Sequence, residues 1–205
     1  MQTTSTRALA AAAAFTIGLT LAGCSTTNTS SPDTSSSDSS SSESSSSVAS
    51  HNGQDVMFTQ QMLPHHQQAV EMSDMLLAKG SGVEADVVTL AKQIKAEQAP
   101  EITTMTGWLK SWNEPTQMPS TSGMDHPSMS GMMSDSDMQD LQDASPRDAG
   151  KLYLEQMIQH HTSAVDMART DFTKGKNADT VALAKSIVTS QTEQITQMRD
   201  MLASK

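Results

Sequence analysis

The feature that most constrains the fold of this chain is an internal repeat. Met62-Leu63-Pro64-His65-His66-Gln67-Gln68-Ala69-Val70-Glu71-Met72 matches Met157-Ile158-Gln159-His160-His161-Thr162-Ser163-Ala164-Val165-Asp166-Met167 at an offset of 95 residues. The register continues through Lys79-Gly80 and Lys174-Gly175. It then loses two residues, so that Leu90-Ala91-Lys92-Gln93-Ile94 pairs with Leu183-Ala184-Lys185-Ser186-Ile187 at an offset of 93. In the same register Gln98, Ile102 and Met105 pair with Gln191, Ile195 and Met198. Each unit is therefore two segments around a short break.

Both segments read as helices, because apolar residues recur at spacings of three and four. Lys79-Gly80 and Lys174-Gly175 place a cation in a last turn and a glycine just beyond it. Ser145-Pro146-Arg147-Asp148 supplies a capping serine, a proline at the first helical position and an acid three residues after the cap. These signals predict helices near 53–79, 84–111, 146–174 and 179–203, with one short helix of its own from Ser134 to Ala144. Two matching helical hairpins, 52–112 and 146–205, pack most simply as an all-α four-helix bundle. Residues 113–145 join them, a connection long enough to suggest a function of its own.

The first 51 residues read differently. Arg7 followed by the apolar run Ala8–Leu21 has the form of an export signal over residues 1–23. Leu21-Ala22-Gly23-Cys24 resembles the lipobox of bacterial lipoproteins, which implies cleavage before Cys24 and lipidation of its thiol. Cys24 is the only cysteine, so no disulfide forms within the chain. Residues 25–50 are almost all Ser, Thr and Asp and bury too little to order themselves, which makes 24–51 a flexible tether. The chain is expected at the outer face of the cytoplasmic membrane, held there by lipid. With 13 Lys and Arg against 23 Asp and Glu and a formal charge of −10, it is not expected to bind nucleic acid.

Histidine is a common metal ligand and thioether sulfur is a soft one, suited to Cu(I). On a helical wheel Phe58, Met62, Ala69 and Leu76 share a stripe, His65 and His66 flank it, and Met72 lies toward His65. Tyr153, Met157, His160, His161, Ala164 and Met167 repeat the arrangement. Methionine on such a stripe is usually core filler. Paired histidines there are less easily dismissed, because a buried imidazole needs polar partners. Gln98 and Gln191, toward the inner face at matching positions, are candidate partners. Glu71 and Asp166 fall on the outer face and read as solvated. Pro64, replaced by Gln159 in the second unit, removes a helical bond to Gln60 and predicts a kink beside the first histidine pair.

The connection carries Met118, Met124, His126, Met129, Met132, Met133 and Met138 among Ser, Gly, Pro and Asp. No core pattern explains these methionines, and they are similar to the Cu(I)- and Ag(I)-collecting segments of exported copper-handling proteins. Absences narrow the chemistry further. Met62 and Met157 stand where a di-iron bundle has glutamate three residues before histidine. No nucleophile triad, zinc-protease motif or phosphate loop is present, so no enzymatic activity is expected.

The motif Asp55-x-x-Phe58-x-x-x-Met62-x-Pro64-His65-His66-x-x-Ala69-Val70-x-Met72 resembles the domain-of-unknown-function 305 family. So do Gly131-Met132-Met133-Ser134 with Met138 and Leu141, and Tyr153-Leu154-x-x-Met157-x-x-His160-His161-x-x-Ala164-Val165-x-Met167. The match spans roughly 52–203. It implies a ferritin-like helical bundle on an exported protein, with copper binding in some members. Asp55 has Gly150 as its counterpart, so an acid that orients a histidine would exist in the first unit only.

Together these features favour binding of copper, Cu(I) in particular, for sequestration or transfer. Met62, His65, His66 and Met72 would form one site, and Met157, His160, His161 and Met167 a second. Asp55, Gln98 and Gln191 would support them from behind, and the connection's thioethers would capture or relay the ion. The alternatives are an envelope interaction module with structural histidines and a redox-active metalloprotein.

Overall fold

The computed structural model describes residues 50–117 and 131–204. The signal, Cys24, most of the tether, Met118, Met124, His126 and Met129 lie outside the described residues. Five helices follow in order: α1 Gly53–Ala78, α2 Ala85–Ser111, α3 Asp135–Asp143, α4 Pro146–Lys174 and α5 Ala178–Ala203. The four long helices form a bundle of two hairpins, α1–α2 and α4–α5, joined along α1 and α4, with α3 laid against those two central helices.

Local chemistry sets the helix ends. Asn52 caps α1 by accepting from the backbone of Gln54 and Asp55, and Asp55 returns the bond to the Asn52 N–H. Ser134 and Asp137 form the same reciprocal pair at α3. Ser145 accepts from the Asp148 N–H, with Pro146 at the first position of α4. Gly80 has φ +67°, the left-handed geometry that ends a helix. Gly175 does not: its φ is −66°, so another reason must hold it there. A β-carbon at Gly175 would stand 2.8 Å from the Asp171 carbonyl, from Asp171 Oδ1 and from Asp55 Oδ1. The glycine is required by the crowding of two carboxylates, not by backbone conformation.

Pro64 does not break α1, which continues to Ala78. Pro100 likewise lies inside α2.

The apolar core divides in two. One cluster joins Ala69, Met72 and Leu76 of α1 to Tyr153, Leu154 and Met157 of α4, with Met133, Leu141 and Met198. The other joins Phe58, Met62 and Leu63 of α1 to Ala164 and Ala168 of α4, with Met105 and Leu109, and Met167 packs against it. Along α1 the buried residues between the two clusters are His65, His66 and Gln68, and along α4 they are His160, His161 and Ser163. The bundle therefore carries a polar layer across its middle, with apolar packing above and below.

Each hairpin's turn meets the start of the other hairpin, and the two meetings use different chemistry. At one end Asp55, fully buried, accepts from the backbone N–H groups of Lys176 and Asn177 and from Thr180 Oγ1 at 2.7–3.2 Å. It thereby caps α5 from a distance and ties it to α1. At the matching place Gly150 faces Val83, whose Cγ1 lies 3.7 Å from the position of a β-carbon. The acid expected to orient a histidine instead locks a helix end. Replacing Asp55 by Ala strands two buried donors, the Asn177 N–H and Thr180 Oγ1, and a part-buried one, the Lys176 N–H, so urea denaturation should record a loss of about 3–4 kcal/mol. Gly150→Ala should cost less than about 1 kcal/mol.

Candidate metal centre

The polar layer is built by the crossing of α1 and α4. His65 and His160, at matching positions, face each other with ring centroids 3.6 Å apart and a 36° tilt between planes. All four imidazoles of the layer are buried, at 0–1% exposure.

Their tautomers follow from their partners. Ser163 spends its hydroxyl hydrogen on the His160 carbonyl at 2.8 Å. It must therefore accept from His65 Nε2, also 2.8 Å away. His66 Nε2 lies 2.8 Å from Glu101 Oε2, which only accepts. Gln194 donates through Nε2 to Glu97 Oε2 at 2.7 Å, which turns its oxygen toward His161 Nε2 at 2.8 Å. In all three rings Nε2 carries the hydrogen, and in the neutral ring Nδ1 is a lone pair. The Nδ1 atoms of His65, His66 and His161 and both nitrogens of His160 are buried without a partner. Five orphaned ring nitrogens in one layer are expensive unless something binds them.

Glu101 and Gln194 are themselves matching positions, at the offset of 93 that pairs Gln98 with Gln191. The first unit thus supplies a carboxylate directly. The second substitutes an amide and relays the carboxylate of Glu97 through it. Gln98 and Gln191 are buried too, yet their carboxamide oxygens are unpaired, and the imidazoles' hydrogen bonds go to Glu101 and Gln194. The repeat alignment contained that signal, since the same register aligns both pairs.

The thioethers sort across the repeats. Met72 shares a cluster with Met157, and Met62 lies in the other, against which Met167 packs. The two sets drawn along the sequence, one per unit, are thereby divided, and the shared feature is a single layer where the units cross. Met62, Met72 and Met157 are fully buried, whereas Met167 is only partly covered.

The end of the connection is pinned over this layer. The Gln68 carboxamide donates to the Met133 carbonyl and accepts from its N–H, at 2.9 and 2.8 Å. A β-carbon on Gly131, at φ +83°, would stand 2.1 Å from Ser163 Oγ, the oxygen that holds His65. Gln68 and Ser163 occupy matching positions, so the strap 131–133 spans the crossing of α1 and α4. Met133 is buried in the core, Met132 is partly exposed and Met138 lies on α3.

Among the described residues no three His, Cys, Asp or Glu side chains are placed to hold an ion. A hard ion that needs many oxygen ligands does not fit this layer. Neutral imidazole lone pairs bounded above and below by thioether-bearing clusters do fit a soft ion that accepts few donors.

The chain matches, over residues 55–202, the family described as domain of unknown function DUF305. No curated protein matches it. Among solved structures, a DUF305 fragment from Deinococcus radiodurans is 28% identical with a TM-score of 0.67, covering 75% of this chain and 98% of that one. A putative secreted DUF305 protein from Streptomyces coelicolor is 34% identical with a TM-score of 0.66, covering 74% and 91%. CopM in its Cu(I)-bound form is 30% identical with a TM-score of 0.60, covering 73% and 96%. CopM has also been solved with Cu(II) and with silver.

Without an ion, the layer sets the protein's response to acid. Burial lowers the pKa of His65 and His160 well below the usual 6.5, reinforced by the neighbouring rings, and burial brings His161 down to about 4 despite its bond to Gln194. Lowered values mean that the unfolded chain binds more protons, so this stability is complete above about 6.5 and drains away as pH falls. Asp171 acts oppositely. Burial and the nearby Asp55 raise it to about 6, so its contribution is present below about 3.8 and lost as pH rises through 6. Three histidines outweigh one carboxyl, so thermal midpoints should fall steadily from pH 7 to 4. His160→Gln should flatten that fall, and Asp171→Asn should steepen it.

Proposed function

Because the chain belongs to the DUF305 family, whose solved members include copper-bound CopM, we propose that it binds a soft metal ion, copper above all, for sequestration or transfer. The single observation that carries this reading is the set of unpaired, fully buried imidazole nitrogens at the crossing of α1 and α4. His65 and His160 are the central donors, and His66 and His161 flank them. Met62, Met72, Met157 and Met167 supply thioethers on the two sides. Glu101 and the Gln194–Glu97 relay hold two of the rings and supply negative charge at the rim, which offsets the charge of an entering cation. Cu(I) is the favoured state because the donors are neutral, soft and few. The thioethers of the connection serve capture, Met133 being held beside the layer by Gln68.

Placement outside the cytoplasm agrees with this role. The signal-like segment and Cys24 support an exported lipoprotein, and the similar Streptomyces coelicolor protein is described as putatively secreted. No described helix is long and apolar enough to cross a membrane, so attachment would rest on the lipid. A purely structural role for the histidines leaves five buried nitrogens unexplained and is less favoured.

Competition against a Cu(I) chelator under reducing conditions tests the reading. The protein should take up Cu(I), and His65→Gln with His160→Gln should weaken that uptake by about 100-fold or more, equivalent to roughly 2.8 kcal/mol. Uptake by the double variant at full strength would remove the histidine layer from the mechanism.

A further inference from the structure

A second cluster of soft donors lies away from the histidine layer, where α3 rests on α1. The groove between them has a volume of about 240 Å³ and is lined by Gln68, Glu71 and Met75 of α1 and by Asp135, Met138, Gln139 and Gln142 of α3 or its immediate end. We propose that Met75 and Met138, flanked by the carboxylates of Glu71 and Asp135, form a separate surface site for a soft monovalent cation of the Cu(I) or Ag(I) class. This rests on the soft-metal reading above, in which Met138 is one of the capturing thioethers, and extends it to a defined pair with Met75 that does not depend on the histidine layer.

The register of both helices builds the groove. Gln68, Glu71, Met75 and Lys79 fall three or four residues apart and form one stripe along α1. Asp135, Met138 or Gln139, and Gln142 form the facing stripe along α3. Both ends of α3 are clamped to the α1 stripe. At the start, the Gln68 carboxamide holds the Met133 backbone through both of its polar groups. At the far end, Lys79 Nζ donates to the carbonyls of Gln142 and Ala144, the latter at 2.8 Å. Leu141, fully buried, anchors the helix to the core between these points. Met138 is thus held over α1 by contacts on either side, and its position does not depend on an ion arriving.

The donor set suits a soft cation. Met75 and Met138 are each partly buried against the core, so part of each thioether remains accessible. No lysine or arginine lines the groove, and the nearest cation on the stripe, Lys79, is engaged by carbonyls. Glu71 and Asp135 take part in no ion pair among the described residues. Two thioethers supply soft ligands, and two exposed carboxylates supply the counter-charge that an otherwise neutral sulfur pair lacks. The matching positions on α4 are Asp166 and Thr170, so the second unit has no equivalent.

The test is a silver titration of the full chain carrying methyl-labelled methionine, with the methyl resonances followed by NMR. The signals of Met75 and Met138 should move together along one binding curve. Met75→Leu and Met138→Leu, which keep the apolar bulk, should each abolish the response of the remaining partner and remove one equivalent of bound silver. Glu71→Gln with Asp135→Asn should weaken the site several-fold while leaving helicity unchanged. The response should persist in the His65→Gln, His160→Gln double variant. If the Met75 and Met138 signals stay fixed while others move, or one moves without the other, the proposal is overturned. If the double variant binds as many equivalents as the parent chain while this response is retained, the proposed function falls and the groove stands.

Discussion

The geometry of this bundle depends on the crossing of α1 and α4 at His65 and His160. Two rings at 3.6 Å fix how closely the central helices approach and in what register. The polar groups at the middle of the bundle are arranged around that contact. Ser163 holds one ring, Glu101 and Gln194 hold the flanking rings, and Gln68 and Ser163 together seat the strap that runs over the crossing. The apolar clusters on either side supply the burial that drives association, on the order of 1.5–3 kcal/mol for each large side chain fully removed from water. They do not specify register as strongly, because Leu, Ile and Met tolerate repacking. Imidazoles with one committed nitrogen do not.

A second theme is that matching positions carry unlike chemistry. Phe58 answers to Tyr153, whose hydroxyl donates to Ser73, itself engaged with the Ala69 carbonyl. Asp55 answers to Gly150, Glu101 to Gln194 and Gln68 to Ser163. In each case the backbone geometry is shared while the polar group is moved or removed. The two histidines and the methionines beside them, Met62 with Met157 and Met72 with Met167, are by contrast the same in both halves.

Much of this was legible in the sequence. The repeat and its spacing yield the four long helices, and Ser145 with Pro146 marks the start of α4. The short helix expected between Ser134 and Ala144 is α3. What the sequence did not yield is how the halves meet. Reading each unit alone put Met62 and Met72 in one site, whereas crossing of α1 and α4 distributes them to opposite sides of the histidines. Asp55, the acid that precedes the first motif, was expected to orient a histidine, but its bonds run to the start of α5, more than a hundred residues away in the chain. Gln98 and Gln191 face inward as expected. Facing inward does not select a partner, and Glu101 and Gln194, one turn further on, have the reach. Glu71 is solvated, as its position on the wheel requires, yet α3 makes its surroundings into a groove that no periodicity reveals.

The amide of Gln194 has a bearing on how such a chain came to differ from a pair of identical hairpins. In a symmetric dimer every substitution is made twice, so exchanging the carboxylate that steadies a buried ring for an amide would deprive both rings together. On one polypeptide the exchange is made once, and the neighbouring hairpin's Glu97 can restore the lost charge through the amide. His161 therefore belongs chemically to both hairpins. Neither half, expressed alone, would carry the environment it has here, and the two are joined by a dependence as well as by a connecting segment.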